Sequence, residues 1–390
     1  MIGTGRRMRV AATGTATGGA SRTGQGAVGV NVIGMPFGMH GLGQELRDKV
    51  RALRAAGIEV AVIEENYSSL GRRVADDEIA ALVTDTPRHP VNLICHNLPA
   101  IGLIAARRPD LLAGRHNIAA PYWEFPELPE RHRDVLGLMD EFWVSNGFLK
   151  AVFGAHTDRP VRQLPLHIPA PAARDPRQPG PLTFGYVFDF NSMAARKDPM
   201  ALVLAFLECF AADPGAEVRL LLKYNMEPSR LVRPRDVEDF LRLCALDPRI
   251  EVVGTPLDAT AMAALMDRID VYVSPHRAEG LGRGIIEMMM AGRAVAATDW
   301  SGPAEFLDPA HSTPIEAIPS HVGAAALGDI RPDFSWAEPR LGSVMDALRA
   351  YAADPALARR HGAGARAALA PLHGPVRHGE AARDRLAELA

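Results

Sequence analysis

The stretch Ser274-Pro275-His276-Arg277-Ala278-Glu279-Gly280-Leu281-Gly282-Arg283-Gly284-Ile285-Ile286-Glu287 joins a short apolar β-type run, Val271 to Ser274, to an apolar helical segment, Gly284 to Ala291. Gly280, Gly282 and Gly284 put unpaired backbone amides at the start of that helix, where free N–H groups and the helix dipole suit a diphosphate. Glu279 stands just before the glycines and Glu287 one turn into the helix, so both carboxylates can face one ligand. A carboxylate beside a phosphate is unfavourable unless it accepts hydrogen bonds from neutral hydroxyls, such as those of ribose or a hexose. Both residues also suit a plainer role, as acidic side chains near a helix N-terminus.

Outward from this turn, β-type runs alternate with helical stretches on both sides. Leu182 to Val187, Val218 to Lys223, Ile250 to Val253, Val271 to Ser274 and Ala294 to Ala297 read as one set of strands, with helices near Met200 to Ala211, Pro234 to Ala245 and Ala259 to Met266 between them. Val28 to Ile33, Ile58 to Ile63, Val91 to Cys95, Asn117 to Ala120, Phe142 to Ser145 and Val161 to Leu164 form an earlier set. Such alternation is the pattern of parallel βαβ units. The expected fold is therefore α/β, with two doubly wound Rossmann-like lobes facing a central cleft, where the carboxyl ends of open sheets bind ligands. Residues 1–26 are expected to be a flexible leader, 27–170 an acceptor-side lobe, 171–181 a proline-rich linker, 182–341 a donor-nucleotide lobe, and 342–390 helices that pack back across the lobes.

Composition narrows the function classes. With 47% hydrophobic and 23% charged residues, the 390-residue chain can build large cores, and a balance of 43 basic against 46 acidic side chains offers no overall field for nucleic acid. Three cysteines without metal-ligand spacing point to a reducing, cytoplasmic setting, and no uninterrupted apolar stretch is long enough to span a bilayer, which leaves room only for peripheral membrane contact. Lysine occurs only at positions 49, 150, 197 and 223, so each is worth attention.

Other motifs carry less. Gly24, Gly26 and Gly29 match a dinucleotide-binding spacing but precede a strand rather than follow one, which is the wrong context. The turn Gly38-Met39-His40-Gly41-Leu42-Gly43 follows the first strand and opens the first helix; its glycines fit either close approach by a ligand phosphate or sugar, or an ordinary tight turn. His96 at the end of an apolar strand reads as a buried imidazole, and Met288, Met289 and Met290 as core. No D-x-D pair of metal-binding carboxylates occurs.

Together these segments resemble the retaining glycosyltransferases of the two-lobed GT-B architecture, family four (glycosyl transferases group 1), whose signature is E-x7-E. Glu279 to Glu287 carries that signature, and further segments are similar in order. They are Gly29 to Gly34 with Gly41 to Gly43; Tyr122-Trp123-Glu124-Phe125-Pro126 and Asp140-Glu141-Phe142-Trp143; Phe188-Asp189-Phe190-Asn191-Ser192 with Arg196-Lys197-Asp198-Pro199; Thr298 to Gly302; and Trp336 to Pro339.

The resemblance implies a metal-independent hexosyltransferase that uses a nucleotide-diphosphate sugar as substrate and no cofactor. Its acceptor would be a glycan, a lipid-linked sugar or a small molecule. It further implies that Glu279 binds donor-sugar hydroxyls, that Gly280, Leu281 and Gly282 give amides to sugar and diphosphate, that Glu287 holds the ribose, and that Lys197 neutralises the diphosphate. Many members place an arginine directly after the glycine of the strand; here Tyr186 follows Gly185, and Arg196 or Ser192 stands in. Gly41 and Gly43 fall on the donor side, and Trp123, Glu124 and His40 on the sugar or acceptor side. A sugar-nucleotide epimerase of the same architecture and a non-catalytic sugar-nucleotide-binding protein are the alternatives.

Overall fold

The computed structural model describes residues 29–66, 73–169, 180–226, 232 and 234–389. The expected leader, the Gly24 and Gly26 motif, and the expected linker apart from Gly180 and Pro181 lie outside them.

In the first lobe six parallel strands, β1 (Gly29–Gly34), β2 (Glu59–Glu64), β3 (Val91–Cys95), β4 (His116–Ala119), β5 (Glu141–Val144) and β6 (Val161–Gln163), lie in the order β2-β1-β3-β4-β5-β6. In the second, β7 (Leu182–Asp189), β8 (Val218–Asn225), β9 (Ile250–Val253), β10 (Val271–Ser274), β11 (Ala294–Thr298) and β12 (Thr313–Ile315) lie in the order β12-β11-β10-β7-β8-β9. Both sheets are covered on two faces, so their strands read as continuous apolar runs; Val91 to Cys95 and Ala294 to Thr298 are buried at every position. Each sheet reverses strand order once, between β1 and β3 and between β7 and β10. The loops at such reversals open a crevice beyond the strand ends.

Differences from the sequence reading have local causes. β7 runs on to Asp189 because its pairing with β8 continues through Phe188–Tyr224 and Asp189–Asn225. β5 ends at Val144, since Asn146 then caps the helix Gly147–Gly154 by accepting from the Leu149 amide at 2.8 Å. Residues 313–339 were not expected to be extended. They form β12 and an antiparallel hairpin, β13 (Ala317–His321) with β14 (Ser335–Pro339).

That hairpin spans the lobes. Phe334 and Trp336 pack with Phe125, Ala278 and Val322 in a separate apolar cluster, and Glu127 of the first lobe accepts from the Ser335 amide at 2.9 Å and from its hydroxyl at 2.6 Å. Three helices close the chain, Leu341–Ala353, Pro355–His373 and Pro375–Leu389. The first two bury Leu348, Tyr351 and Leu369 in the second-lobe core, while the third places Ala382 and Leu386 in the first-lobe core. Gly379 permits that last contact, because a Cβ there would stand 2.6 Å from the Ala52 carbonyl oxygen. Arg385 anchors the same helix by donating to the fully buried Glu141 carboxylate at 2.6 Å. Among the described residues no helix is long and apolar enough to cross a membrane.

Candidate active site

The loops after β7 and β10, on either side of the second sheet's reversal, bring Arg196, Lys197 and Glu279 together. Phe190–Ser192 forms a single 3-10 turn and Ala194–Lys197 one short helical turn, so the chain delivers both cations within a few residues of the strand end. Lys197 pairs directly with the Glu279 carboxylate, and Arg196 Nη1 lies 3.4 Å from the same oxygen. Arg196 is buried and fixed from several sides: it donates to the Ala278 carbonyl at 2.8 Å and the Ser192 carbonyl at 3.2 Å, and its Nη2 stands 3.5 Å from Glu124 of the first lobe. Burial alone would raise the Glu279 carboxyl, but Lys197, Arg196 and His276 outweigh it and bring it down to about 2. Glu279 is therefore an anion at neutral pH, held between two cations.

Backbone strain collects here. Met193 (φ 64°), Asp198 (φ 45°) and Ser301 (φ 57°) are the non-glycine residues with positive φ among the described residues. Met193 and Asp198 bracket Arg196 and Lys197, while the Ser301 hydroxyl accepts from the Glu279 amide at 3.0 Å. Conformations of this kind cost of order 1–3 kcal/mol each and persist where surrounding contacts impose them. Asp198 is imposed on from both sides, since Arg277 Nη2 stands 3.0 Å from its carboxylate and that carboxylate caps the helix Pro199–Phe210.

The glycine turn is closely packed by protein backbone. Gly282 has φ 77° and caps the helix Arg283–Met290. A Cβ at Gly280 would stand 2.6 Å from the Trp123 carbonyl oxygen, and one at Gly302 would stand 2.2 Å from the Gly280 carbonyl oxygen. Both glycines thus admit close approach by protein backbone, Gly280 by that of the opposite lobe. Asn146 Nδ2 donates to the Gly280 carbonyl at 2.7 Å. Leu281 turns its side chain into the second-lobe core, so only its backbone is left for a ligand.

Glu287 lies one turn into the helix and accepts from Arg283 Nε at 2.6 Å, while Arg283 Nη2 reaches Asp48 of the first lobe at 2.5 Å. Burial raises the Glu287 carboxyl, and Arg283 opposes the shift. His276 is fully buried between Ser274 Oγ at 3.1 Å and the Trp300 carbonyl at 3.5 Å, and burial pushes its imidazole down to about 4.

Across the cleft, His40 Nδ1 accepts from the Gly43 amide at 3.3 Å and so caps the helix Gly41–Ala55. Gly43 is needed because a Cβ would stand 2.2 Å from the Gly38 carbonyl oxygen, whereas a Cβ at Gly41 would meet nothing within 4 Å. Of the turn's two readings, internal packing accounts for Gly43. The Trp123 indole donates to the Glu127 carbonyl at 2.6 Å, within its own loop. Asp48, Asn146, Arg283 and Ser301 were not singled out from sequence. Only Arg283, four residues before Glu287 on one helix, carried a local signal. Among the described residues, no group of three or more His, Cys, Asp or Glu side chains could hold a metal ion.

Two parallel six-stranded lobes with a glycine turn and a lysine at the second sheet's reversal make the GT-B fold, and residues 219–323, which contain Glu279 to Glu287, match the family described as Glycosyl transferases group 1. The match covers about a quarter of the chain and lies within the second lobe, where the glycine turn and its two glutamates sit. Sucrose-phosphate synthase from Thermosynechococcus elongatus shares this fold with a TM-score of 0.65 at 16% identity, covering 92% of this chain and 99% of that one. HepE from Anabaena, solved with UDP-glucose, matches with a TM-score of 0.67 at 12% identity and the same coverage. TarM from S. aureus, solved with UDP, α-GlcNAc-glycerol and fondaparinux, matches at 0.59 and 12% identity over 76% of this chain and 55% of its own length. No curated protein sequence matches the chain.

Proposed function

We propose that this glycosyltransferase moves a sugar from a nucleotide-diphosphate sugar to a hydroxyl of a carbohydrate or glycolipid acceptor, with retention of anomeric configuration and without a metal ion. The observation that supports it is the convergence of Lys197, Arg196 and Glu279 beside the Gly280–Gly282 turn, facing Glu124 of the other lobe. Breaking the sugar–phosphate bond builds negative charge on the leaving diphosphate and oxocarbenium character at the anomeric carbon. Lys197, Arg196 and the amides at the helix start supply positive potential to the first, where a metal would otherwise sit, and one such preorganised donor contributes about 10² to 10³ in rate. Glu279, an anion held in place, accepts from the hydroxyls of the sugar, and Glu287 accepts from those of the ribose.

Neither carboxylate beside the turn is assigned as a covalent nucleophile, since Glu279 is engaged by two cations and Glu124 lies against Arg196. A front-face route follows, in which the departing phosphate oxygen takes the acceptor's proton as the acceptor oxygen bonds the anomeric carbon. The UDP-glucose bound in HepE and the UDP bound in TarM make uridine nucleotides the first to test. Three free cysteines favour a reducing, cytoplasmic setting.

Incubation with UDP-, GDP- and dTDP-sugars, with and without an acceptor extract, tests the reading. Transfer should require acceptor, survive EDTA and give a product whose anomeric centre keeps the donor's configuration by NMR. Turnover of donor alone to an altered sugar would indicate an epimerase, and binding without turnover a non-catalytic protein. An inverted product, or activity abolished by EDTA and restored by Mg²⁺ or Mn²⁺, would overturn the mechanism.

A further inference from the structure

Arg283 is gripped by one carboxylate from each lobe. Its Nε donates to Glu287 Oε1 at 2.6 Å within the helix Arg283–Met290, and its Nη2 donates to Asp48 Oδ2 at 2.5 Å on the first-lobe helix Gly41–Ala55. Asp48 is fully buried and fixed in turn: Gln44 Nε2 donates to its other oxygen at 2.9 Å, and Arg51 stands 4.0 Å away. The third nitrogen of the guanidinium, Nη1, is buried and has no hydrogen-bond partner. A buried N–H without an acceptor is costly, and a ligand oxygen arriving beside Glu287 would satisfy it. Lysine could not replace this arrangement, because a single ammonium lacks the planar fork that holds two carboxylates at once.

We propose that Arg283 is a positioning residue shared by the lobes: fixed by Asp48, it orients the Glu287 carboxylate toward the donor's ribose, so that nucleotide affinity is set partly by an acidic residue on the opposite lobe. This rests on the donor reading above. It makes the bridge a specificity element for the nucleoside portion of the substrate, distinct from the Lys197–Glu279 pair that serves the diphosphate and sugar.

Calorimetric titration with UDP, GDP and dTDP tests it on the wild type, Asp48→Asn, Asp48→Glu, Glu287→Gln and the Asp48→Asn/Glu287→Gln double variant. Asp48→Asn should weaken the best-bound nucleotide about ten-fold, and the double variant should bind no more weakly than Glu287→Gln alone, since coupled residues do not add. Asp48→Glu should recover part of the loss. In turnover, Asp48→Asn should raise KM for the donor more than it lowers kcat, the mark of lost binding rather than lost chemistry. Unchanged affinity in Asp48→Asn, or single losses that add in full, would overturn the proposal alone. A wild type that binds none of the three nucleotides would overturn the donor reading as well. If Asp48→Asn does not fold, Arg283→Lys is read in its place with the same expectation.

Discussion

The side-chain amide of Asn146, in the first lobe, donates to the carbonyl of Gly280, in the second, at 2.7 Å. The same side chain accepts from the Leu149 amide at 2.8 Å, so one residue both caps a helix and holds the glycine turn in register with the opposite lobe. Asn146→Ala should therefore lose an N-cap worth about 0.5–2 kcal/mol and leave the buried Gly280 carbonyl short of a donor. Denaturant titration should show the stability loss, and donor titration a larger Kd. A variant that loses stability but binds donor normally would show that the contact caps the helix and nothing more.

Lys197→Ala should remove charge-assisted hydrogen bonding to the diphosphate worth about 1.5–3 kcal/mol. It also leaves Glu279 with Arg196 alone, so the carboxyl should rise from its depressed value. Donor affinity and turnover should both fall. Unchanged kinetics in a folded Lys197→Ala variant would refute the assignment.

The two glutamates should separate by ligand. Glu287→Ala should weaken the bare nucleotide diphosphate, because ribose is present in it. Glu279→Ala should weaken the intact sugar nucleotide and spare the bare one, since it uncovers Lys197 and Arg196 without removing a contact to ribose or phosphate. Four titrations decide the matter, and equal losses in all of them contradict the division.

Stability should fall as pH drops below neutrality. His132, His276 and His378 are each buried, and burial pushes all three imidazoles down to about 4. Below the ordinary value near 6.5, the unfolded chain binds protons that the folded chain refuses, so each such histidine removes up to about 1.4 kcal/mol per pH unit until its folded value is reached. Asp198, which burial raises to about 6, and Glu287, which burial also raises, work in the opposite sense above their ordinary values, but they stand against these three histidines and four more that burial lowers, His89, His96, His361 and His373. Melting temperatures taken from pH 7.5 to 4.5 should decline, and His276→Gln, if folded, should flatten the decline. A melting temperature constant to pH 5 would contradict the neutral, buried state of these rings.

Most strands and helices were legible in the sequence because each is written locally, whereas β12 and the hairpin of β13 with β14 were not. Val91 to Cys95 is apolar throughout because it is buried on both faces, and Gly280 to Gly284 followed by an apolar run marks a turn into a helix. The glycine turn with its two glutamates is local in the same way, whereas Lys197, 82 positions from Glu279, was pointed to by the scarcity of lysine and by resemblance to a family motif. What tertiary structure alone decided is which side chains hold these groups across the cleft. Asp48 meets Arg283 across 235 positions, Glu127 meets Ser335 across 208, and Asn146 meets Gly280 across 134. Periodicity and turn chemistry constrain a residue against neighbours within a few positions, whereas the register of one lobe on the other is set by packing such as that of Phe125 with Phe334 and Trp336. The free carboxylate that Glu287 offers in the sequence is, for that reason, a carboxylate already oriented by an arginine that the other lobe holds.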